Sequence, residues 1–271
     1  MVSLTRKYNP EGSALRRDQT ELLRILKVLA KICDDNGIQW WLSSGTLLGA
    51  ARHQGFIPWD DDLDIVMMKE DYHKLEKILL QMQSEDFVFH CTKTDVEYIN
   101  LFGKFRKRDG EVMMDKRRHA YYKWKGLCVD IFAIEKTSYI SARLSKIFYH
   151  PVLSLVSRIK VGWIRQSFTR LVQYCNWGFI FPVLRLIGLI NPSGQYHYAL
   201  GQGWPRHVFY AKDIFPLSVM EFEGEQYPVP HDVDSYLTNV YGDWRKIPSE
   251  EEIKKAIHCQ EYKEEIFGKE Q

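Results

Sequence analysis

The sequence GAARHQGFIPWDDDLDIV, residues 49–66, places four aspartates before and within a short apolar run. Asp60, Asp61 and Asp62 are consecutive, and Asp64 follows after a single leucine. The mainly aliphatic residues 63–67 predict a strand. Side chains two residues apart project from the same face of a strand, so we expect Asp62 and Asp64 side by side. Carboxylates that close repel each other, which favours a proton on one of them or a cation between them.

Carboxylate pairs of this kind suit Mg²⁺ or Mn²⁺, hard cations that complete their coordination shell with water and phosphate oxygens. Asp130 is the candidate third ligand, because it is the lone charge in an apolar strand predicted over residues 127–134. A charge in such a strand is costly unless it is paired or metal-bound. A salt bridge from Asp130 to a neighbouring Arg or Lys is the alternative interpretation.

A turn of small residues separates a predicted strand, residues 38–42, from a short predicted helix, residues 46–52. The turn consists of Ser43, Ser44, Gly45 and Thr46. Backbone N–H groups at such a turn, together with the helix dipole, can bind a phosphate. A turn that only caps the helix is the alternative. A strand, a small-residue turn, a helix and an acidic strand in this order are typical of the nucleotidyltransferase superfamily.

Further periodic patterns surround this unit. Apolar residues at helical spacing predict a helix that ends at Asn36-Gly37 and others over residues 72–82 and 233–241. Strands are predicted over residues 87–91, 98–106 and 127–134, and a hairpin over residues 219–229. The mixture of helices and strands indicates an α+β, or α/β-like, domain with a mixed sheet core flanked by helices.

Residues 136–212 have a different composition from the rest of the chain, because they contain no Asp or Glu. Their basic residues are Lys136, Arg143, Lys146, Arg158, Lys160, Arg165, Arg170, Arg185, Arg206 and Lys212. Amphipathic helices are predicted over residues 139–190. We therefore expect a first part of the core in residues 1–135, a helical cationic insertion in residues 136–212, and completion of the core in residues 213–271.

The predicted insertion has two interpretations that the sequence leaves open. Trp and Tyr beside Arg on apolar helices suit helices that lie on an anionic membrane. A buried helical subdomain whose arginines face solvent is the alternative. A membrane-spanning helix is not favoured, because polar residues interrupt the most apolar window, residues 171–190.

Composition narrows the class of protein. The chain has 271 residues, a net charge of +2 and a sequence pI of about 8.2, which gives little reason to expect a nucleic-acid partner. Its five cysteines are scattered and show no zinc or redox spacing, so free thiols in a reducing compartment are expected. Residues 1–10 contain no apolar signal segment. A cytoplasmic location is expected, and a peripheral position at the inner face of the cell membrane depends on which interpretation of the insertion holds.

The stretch WLSSGTLLGAARHQGFIPWDDDLDI, residues 41–65, resembles the LicD family of phosphotransferases, whose core is shared with fukutin and fukutin-related protein. The similarity continues more loosely through GKFR (103–106), VDIF (129–132), FEG (222–224) and YGDW (241–244) with Pro248. The cysteine-rich zinc element of fukutin-related protein has no counterpart here, which favours the bacterial branch.

The resemblance implies a nucleotidyltransferase-like fold and a divalent metal, Mg²⁺ or Mn²⁺, held by Asp62, Asp64 and Asp130, which would also be the catalytic residues. It further implies transfer of a phospho-alcohol, phosphocholine or similar, from a CDP-activated donor to a glycan acceptor that can be lipid-linked. Two other functions stay open: a nucleotidyltransferase that releases pyrophosphate, and a non-catalytic membrane-surface binding protein whose acidic strand holds a structural ion.

Four basic residues are candidates for phosphate contacts: Arg52, His53, Lys104 and Arg106. Solvation at the surface is the alternative for Lys104 and Arg106. We expect Trp59 to pack its loop onto the core. Residues 241–244 either close over the site or only end a helix.

Choline would require an aromatic cage. Trp40, Tyr121, Tyr122 and Trp124 are candidates for such a cage, but the sequence does not show that any of them form one.

Overall fold

The structure, a computed structural model, describes Leu4 and residues 7–112, 119–191, 194–202, 204–257 and 259–268. A mixed six-stranded sheet forms the centre of the fold and confirms the predicted class. Its strands are β1 (Trp41–Leu42), β2 (Asp64–Met68), β3 (Phe87–His90), β4 (Gly103–Lys107), β5 (Cys128–Lys136) and β6 (Tyr196–Tyr198). The strand order is β1-β2-β5-β4-β3, and β6 also pairs with β5. The β2–β5 pair is parallel, and the other pairs are antiparallel.

Helices flank the sheet and make up most of the remaining regular structure. In chain order they are α1 (Ala14–Asp35), α2 (Ser44–His53), α3 (Lys69–Gln81), α4 (Tyr139–Val156), α5 (Gly162–Cys175), α6 (Phe181–Gly188), α7 (Ala211–Ile214), α8 (Val233–Tyr241), α9 (Glu250–Ala256) and α10 (Gln260–Phe267). The predicted strand over residues 98–106 is mostly irregular, and only its end forms β4. Its apolar residues Tyr98, Ile99 and Leu101 are buried as a loop, which explains why their pattern resembled a strand.

Strand β5 is the central strand. It pairs with β2, β4 and β6, and both of its faces are covered, because Val129, Ile131 and Phe132 are all buried. Helix α1 packs on β4 and β5 through a stripe of apolar residues at helical spacing. A charged side chain in such a strand is stable only where another group compensates its charge. Asp130 therefore requires a partner, either a basic side chain or a cation.

Helices α4, α5 and α6 form the segment that the sequence predicted as helical. Tyr149, Leu153, Phe181 and Leu184 build a second, smaller core between them. After these helices, β6 returns to the central sheet and pairs with residues 134–136 of β5. The division of the chain into a core and an insertion at residues 136 and 212 stays a prediction.

A hairpin of β7 (Ser218–Phe222) and β8 (Glu225–Val229) confirms the predicted hairpin and holds the loop before the acidic stretch. Its turn residue Glu223 accepts a hydrogen bond from the Phe56 N–H at 3.1 Å and pairs with Arg16 at 2.7 Å. Gly55 permits this contact, since a Cβ there would lie 2.4 Å from the Glu223 Oε1. The hairpin thus fixes the start of the loop that leads to Asp60.

Replacing Glu223 with alanine should lower the free energy of unfolding by about 2–3 kcal/mol, because the Phe56 N–H and Arg16 lose a partly buried charged partner. The matched control is Glu225→Ala on the same hairpin, whose ion pair with Lys27 is about half exposed and should contribute less than about 1 kcal/mol. Urea denaturation of both variants measures the difference. Equal losses would show that Glu223 does not hold the loop.

Candidate active site

Two aspartates of neighbouring strands share one position in the sheet. Asp64 opens β2, and Asp130 lies directly opposite it in the parallel strand β5. Paired residues of adjacent strands project to the same face, so the two carboxylates are neighbours. The Asp64 N–H donates to the Thr46 Oγ1 at 2.8 Å, and the Asp130 N–H donates to the Leu63 carbonyl at 2.9 Å. The register therefore places two acidic side chains together beside the start of α2.

Two further residues extend this row across the sheet. Lys104 of β4 is paired with Asp130, and His90 of β3 is paired with Lys104. The Lys104 Nζ contacts both carboxylate oxygens of Asp130. Burial acts to lower the pKa of Lys104, but the Asp130 carboxylate outweighs it and the pKa is raised, so the ammonium is charged at neutral pH. The salt bridge considered for Asp130 is thus present, with Lys104 as the partner.

Asp60, Asp61 and Asp62 form a second acidic group beside the first. Each offers an oxygen within 4.8 Å of the others, a spacing that allows a shared metal ion. Sequence reasoning chose Asp62 and left out Asp60 and Asp61. Strand β2 begins at Asp64, so Asp62 does not share the strand with it and lies in irregular backbone just before it. Asp61 also accepts a hydrogen bond from the Cys259 N–H at 2.9 Å.

The two acidic groups influence each other. Burial raises the pKa of Asp64 well above its usual range, and the charges of Asp130, Asp62 and Asp60 raise it further. Burial likewise raises the pKa of Asp60, with contributions from Asp62 and Asp61. These carboxylates are therefore close enough to destabilise one another's charged forms. A cation among them would relieve that repulsion.

The predicted phosphate turn lies against the acidic group. Ser44 has a left-handed backbone, with φ of 48°, and a Cβ on Gly45 would lie 2.4 Å from the Asp60 Oδ2. Ser43 precedes α2 without capping it through its side chain; its hydroxyl lies 3.0 Å from the Tyr236 hydroxyl. The turn is therefore more than a side-chain cap and faces the carboxylates.

Tyr198 of β6 is a site residue that sequence reasoning missed. Burial raises its pKa to about 12, while hydrogen bonds to Ser44 and Ser43 lower it and the nearby Asp64 charge raises it. Its hydroxyl thus hydrogen-bonds to the turn 43–46, near the charge of Asp64. No motif marks Tyr198, because β6 has three residues and follows the helical segment in the chain.

The four basic candidates lie in different surroundings. Lys104 and Arg106 are buried, so the alternative that they are solvated at the surface is wrong for both. Arg106 donates to the Gly126 carbonyl, and Arg52 donates to the carbonyls of Trp244 and Lys246 at 3.2 Å each. His53 faces a separate cavity of about 620 Å³. Lys104 contacts an acidic residue of the site, Asp130, and phosphate contacts by all four stay a prediction.

Residues 241–244 end a helix, and their closure over the site stays a prediction. Gly242 ends α8, with φ of 70° and an N–H bond to the Thr238 carbonyl at 2.9 Å. Although Tyr241 is 44% exposed, desolvation of its hydroxyl raises its pKa, and the charges of Asp60 and Asp64 raise it further. Arg52 holds the residues that follow, so this loop borders the site.

The aromatic residues do not form one cage. Trp59 is buried and packs edge-on against Tyr8 at 5.3 Å, which confirms that it anchors its loop to the core. Tyr122 and Trp124 pack around the buried His90, and the Arg165 guanidinium covers Tyr121 at 3.7 Å. Trp40 instead contacts Tyr227.

Comparisons with known proteins agree with this geometry. Residues 37–154 match the family model "LicD/FKTN/FKRP, nucleotidyltransferase domain". The chain is 27% identical to the lipopolysaccharide cholinephosphotransferase LicD of Haemophilus influenzae, over 91% of this chain and 97% of that protein. It is 40% identical over 60 residues to human ribitol 5-phosphate transferase FKRP, covering 21% of this chain and 12% of that one.

A third relative, human ribitol-5-phosphate transferase FKTN, is 39% identical over 62 residues, or 23% of this chain and 13% of that protein. The matched family region contains the phosphate turn, the acidic residues 60–64, Lys104 and Asp130. The chain therefore carries, in residues 37–154, a nucleotidyltransferase domain of the LicD/FKTN/FKRP family, and most of its length is similar to a cholinephosphotransferase.

Proposed function

We propose that the protein is a metal-dependent phosphotransferase that moves a phospho-alcohol, phosphocholine or similar, from a CDP-activated donor to a cell-surface glycan. The observation that carries the proposal is the placement of Asp64 and Asp130 in register, with the carboxylates 60–62 and the phosphate turn beside them. The similarity to a cholinephosphotransferase over most of the chain supports the class of transferred group.

The candidate metal ligands fit a hard divalent cation. All of the candidate ligands are carboxylate oxygens, and several of them lie together in partly buried positions where like charges repel. Asp62, Asp64 and Asp130 stay our predicted ligands, and the geometry adds Asp60 and Asp61 as candidates. When bound, Mg²⁺ or Mn²⁺ would neutralise charge on the donor's phosphate oxygens.

The protein's own groups have separate tasks in this proposal. Backbone N–H groups at Ser44, Gly45 and Thr46, at the start of α2, bind phosphate oxygens of the donor. Lys104 keeps its positive charge and lies in contact with Asp130, so it can exchange that carboxylate for a phosphate oxygen of the donor. These contacts position the phosphorus atom that is attacked.

The reaction is a substitution at that phosphorus. An acceptor hydroxyl oxygen forms a new bond to the phosphorus atom that bears the alcohol, and the bond from this phosphorus to the bridging oxygen of the pyrophosphate breaks. CMP leaves with that oxygen, and the hydroxyl proton passes to a base. Asp130 is our candidate base, because its carboxylate lies in the same row as Asp64.

Incubation with Mg²⁺, a glycan acceptor and CDP-choline, CDP-ethanolamine, CDP-glycerol or CDP-ribitol in turn should release CMP and attach the phospho-alcohol to the glycan for at least one donor. CTP serves as the control donor. Chromatography of the nucleotides and mass spectrometry of the glycan measure both products. Release of pyrophosphate from CTP, with no CMP from any CDP-alcohol, would instead indicate a nucleotidyltransferase.

Asp64→Asn and Asp130→Asn should each lower turnover by at least about 10²–10³-fold, because charge stabilisation at the phosphorus is lost. Asp64→Asn should not lower thermal stability, since it removes a carboxylate that its neighbours repel. Asp86→Asn, at an exposed position before β3, is the matched control and should change neither quantity. A loss of stability without measurable wild-type turnover would support the alternative of a binding protein with a structural ion.

A further inference from the structure

Large apolar side chains are exposed along the helical segment of α4, α5 and α6. Trp163 is 72% exposed, Leu186 is 66% exposed, and Leu189 and Ile190 are each 78% exposed. Elsewhere in the described residues the exposed large apolar side chains are Val28, Leu80, Trp204, Val219, Tyr241 and Ile247. Single exposed apolar residues are normal on a protein surface, but a concentration of them in one segment marks an interaction site.

Helices α4 and α6 are apolar on two sides. Helix α6 buries Phe181 and Leu184 in the second core, yet it exposes Val183 and Leu186. Helix α4 buries Tyr149 and Leu153 and exposes Ile147, Phe148 and Leu155, among others. A buried helical subdomain accounts for the first stripe of α4 and of α6 and leaves the second unexplained. Helix α5 buries Arg165 and Thr169 and exposes Trp163, Phe168 and Leu171. Helices that are apolar all round are covered by other protein or by lipid.

The charge of the segment distinguishes a protein partner from a lipid surface. Arg165 and Arg185 point toward the core and pair with Glu97 and Glu135, which lie outside the three helices. Arg143, Arg158, Lys160 and Arg170 are exposed. Among the residues that the structure describes, no acidic group lies within ion-pair distance of these four. Since residues 136–212 contain no Asp or Glu, every charge that the segment itself exposes is positive, and these charges accompany its exposed apolar side chains.

We infer that α4, α5 and α6 dock on the surface of an anionic lipid bilayer. Exposed Trp163, Tyr174 and Trp177 suit the interface between headgroups and acyl chains, and the unpaired cations suit anionic headgroups. No helix among the described residues has the length and apolar character needed to cross a bilayer, so the contact is peripheral. A second copy of this chain would bring two positive surfaces together, which charge repulsion opposes.

This docking does not depend on the proposed phosphotransfer, and it can be measured without a donor. The full chain should cosediment with vesicles of phosphatidylcholine and phosphatidylglycerol at low salt, bind pure phosphatidylcholine vesicles more weakly, and dissociate as salt rises. Arg158→Glu with Lys160→Glu should lower the partition coefficient at least about 25-fold, at roughly fivefold per neutralised charge. Leu189→Ser with Ile190→Ser should lower it at least about tenfold.

Two exposed positions outside the segment supply matched controls. Lys77→Glu on α3 and Val219→Ser on β7 should leave vesicle binding unchanged. Circular dichroism shows whether each variant keeps its fold. A wild-type chain that stays in the supernatant with all vesicles, or variants that bind as well as wild type, would overturn the inference. Self-association in sedimentation velocity that Leu189→Ser with Ile190→Ser abolishes, without vesicle binding, would assign the surface to a second copy.

Turnover on a water-soluble glycan fragment, assayed on the same variants, separates this inference from the proposed function. Vesicle binding without turnover of any CDP-alcohol would contradict only the phosphotransferase proposal. Turnover without vesicle binding would contradict only the membrane inference.

Discussion

Two carboxylates held in register on adjacent parallel strands are the constraint on which the site depends. The pairing of β2 with β5 places Asp64 beside Asp130, and the packing of both strands prevents either residue from moving away. Burial and neighbouring charges make the ionised form of Asp64 costly. Lys104 compensates part of this charge through its contact with Asp130. A buried ion pair such as Lys104 with Asp130 contributes little net stability to a fold. Buried charges with shifted pKa values cluster at functional sites, which favours a catalytic or binding role for this group.

The surrounding structure serves this arrangement. The hairpin residue Glu223 fixes the loop that carries residues 60–62, and Gly45 leaves room for Asp60 beside the phosphate turn. Tyr198 and Tyr241 approach the same carboxylates from elements distant in the sequence. The site is therefore assembled from the first 135 residues and completed by later ones. The helical segment between these parts carries the surface that we infer docks on a bilayer.

The sequence predicted the central elements because their signals are local. The turn 43–46, the aspartates and the lone charge at Asp130 are each visible within a few residues, and the sheet brings them together as expected. Tyr198 could not be found, because its strand is three residues long and its partner is more than sixty residues away. Alternation along a strand does not apply to Asp62, since it lies in irregular backbone before β2. Lys104 was predicted as a phosphate contact, and the register of β4 shows that Asp130 is its partner in the structure.

The most direct test of the metal site is anomalous diffraction from crystals grown with Mn²⁺ and a non-hydrolysable CDP-alcohol analogue. One or two anomalous peaks should lie among the carboxylates of Asp60, Asp62, Asp64 and Asp130, with the Lys104 ammonium moved from Asp130 to a phosphate oxygen of the analogue. Peaks elsewhere in the molecule, with the Lys104–Asp130 pair intact and the analogue remote from the turn 43–46, would contradict the site described above.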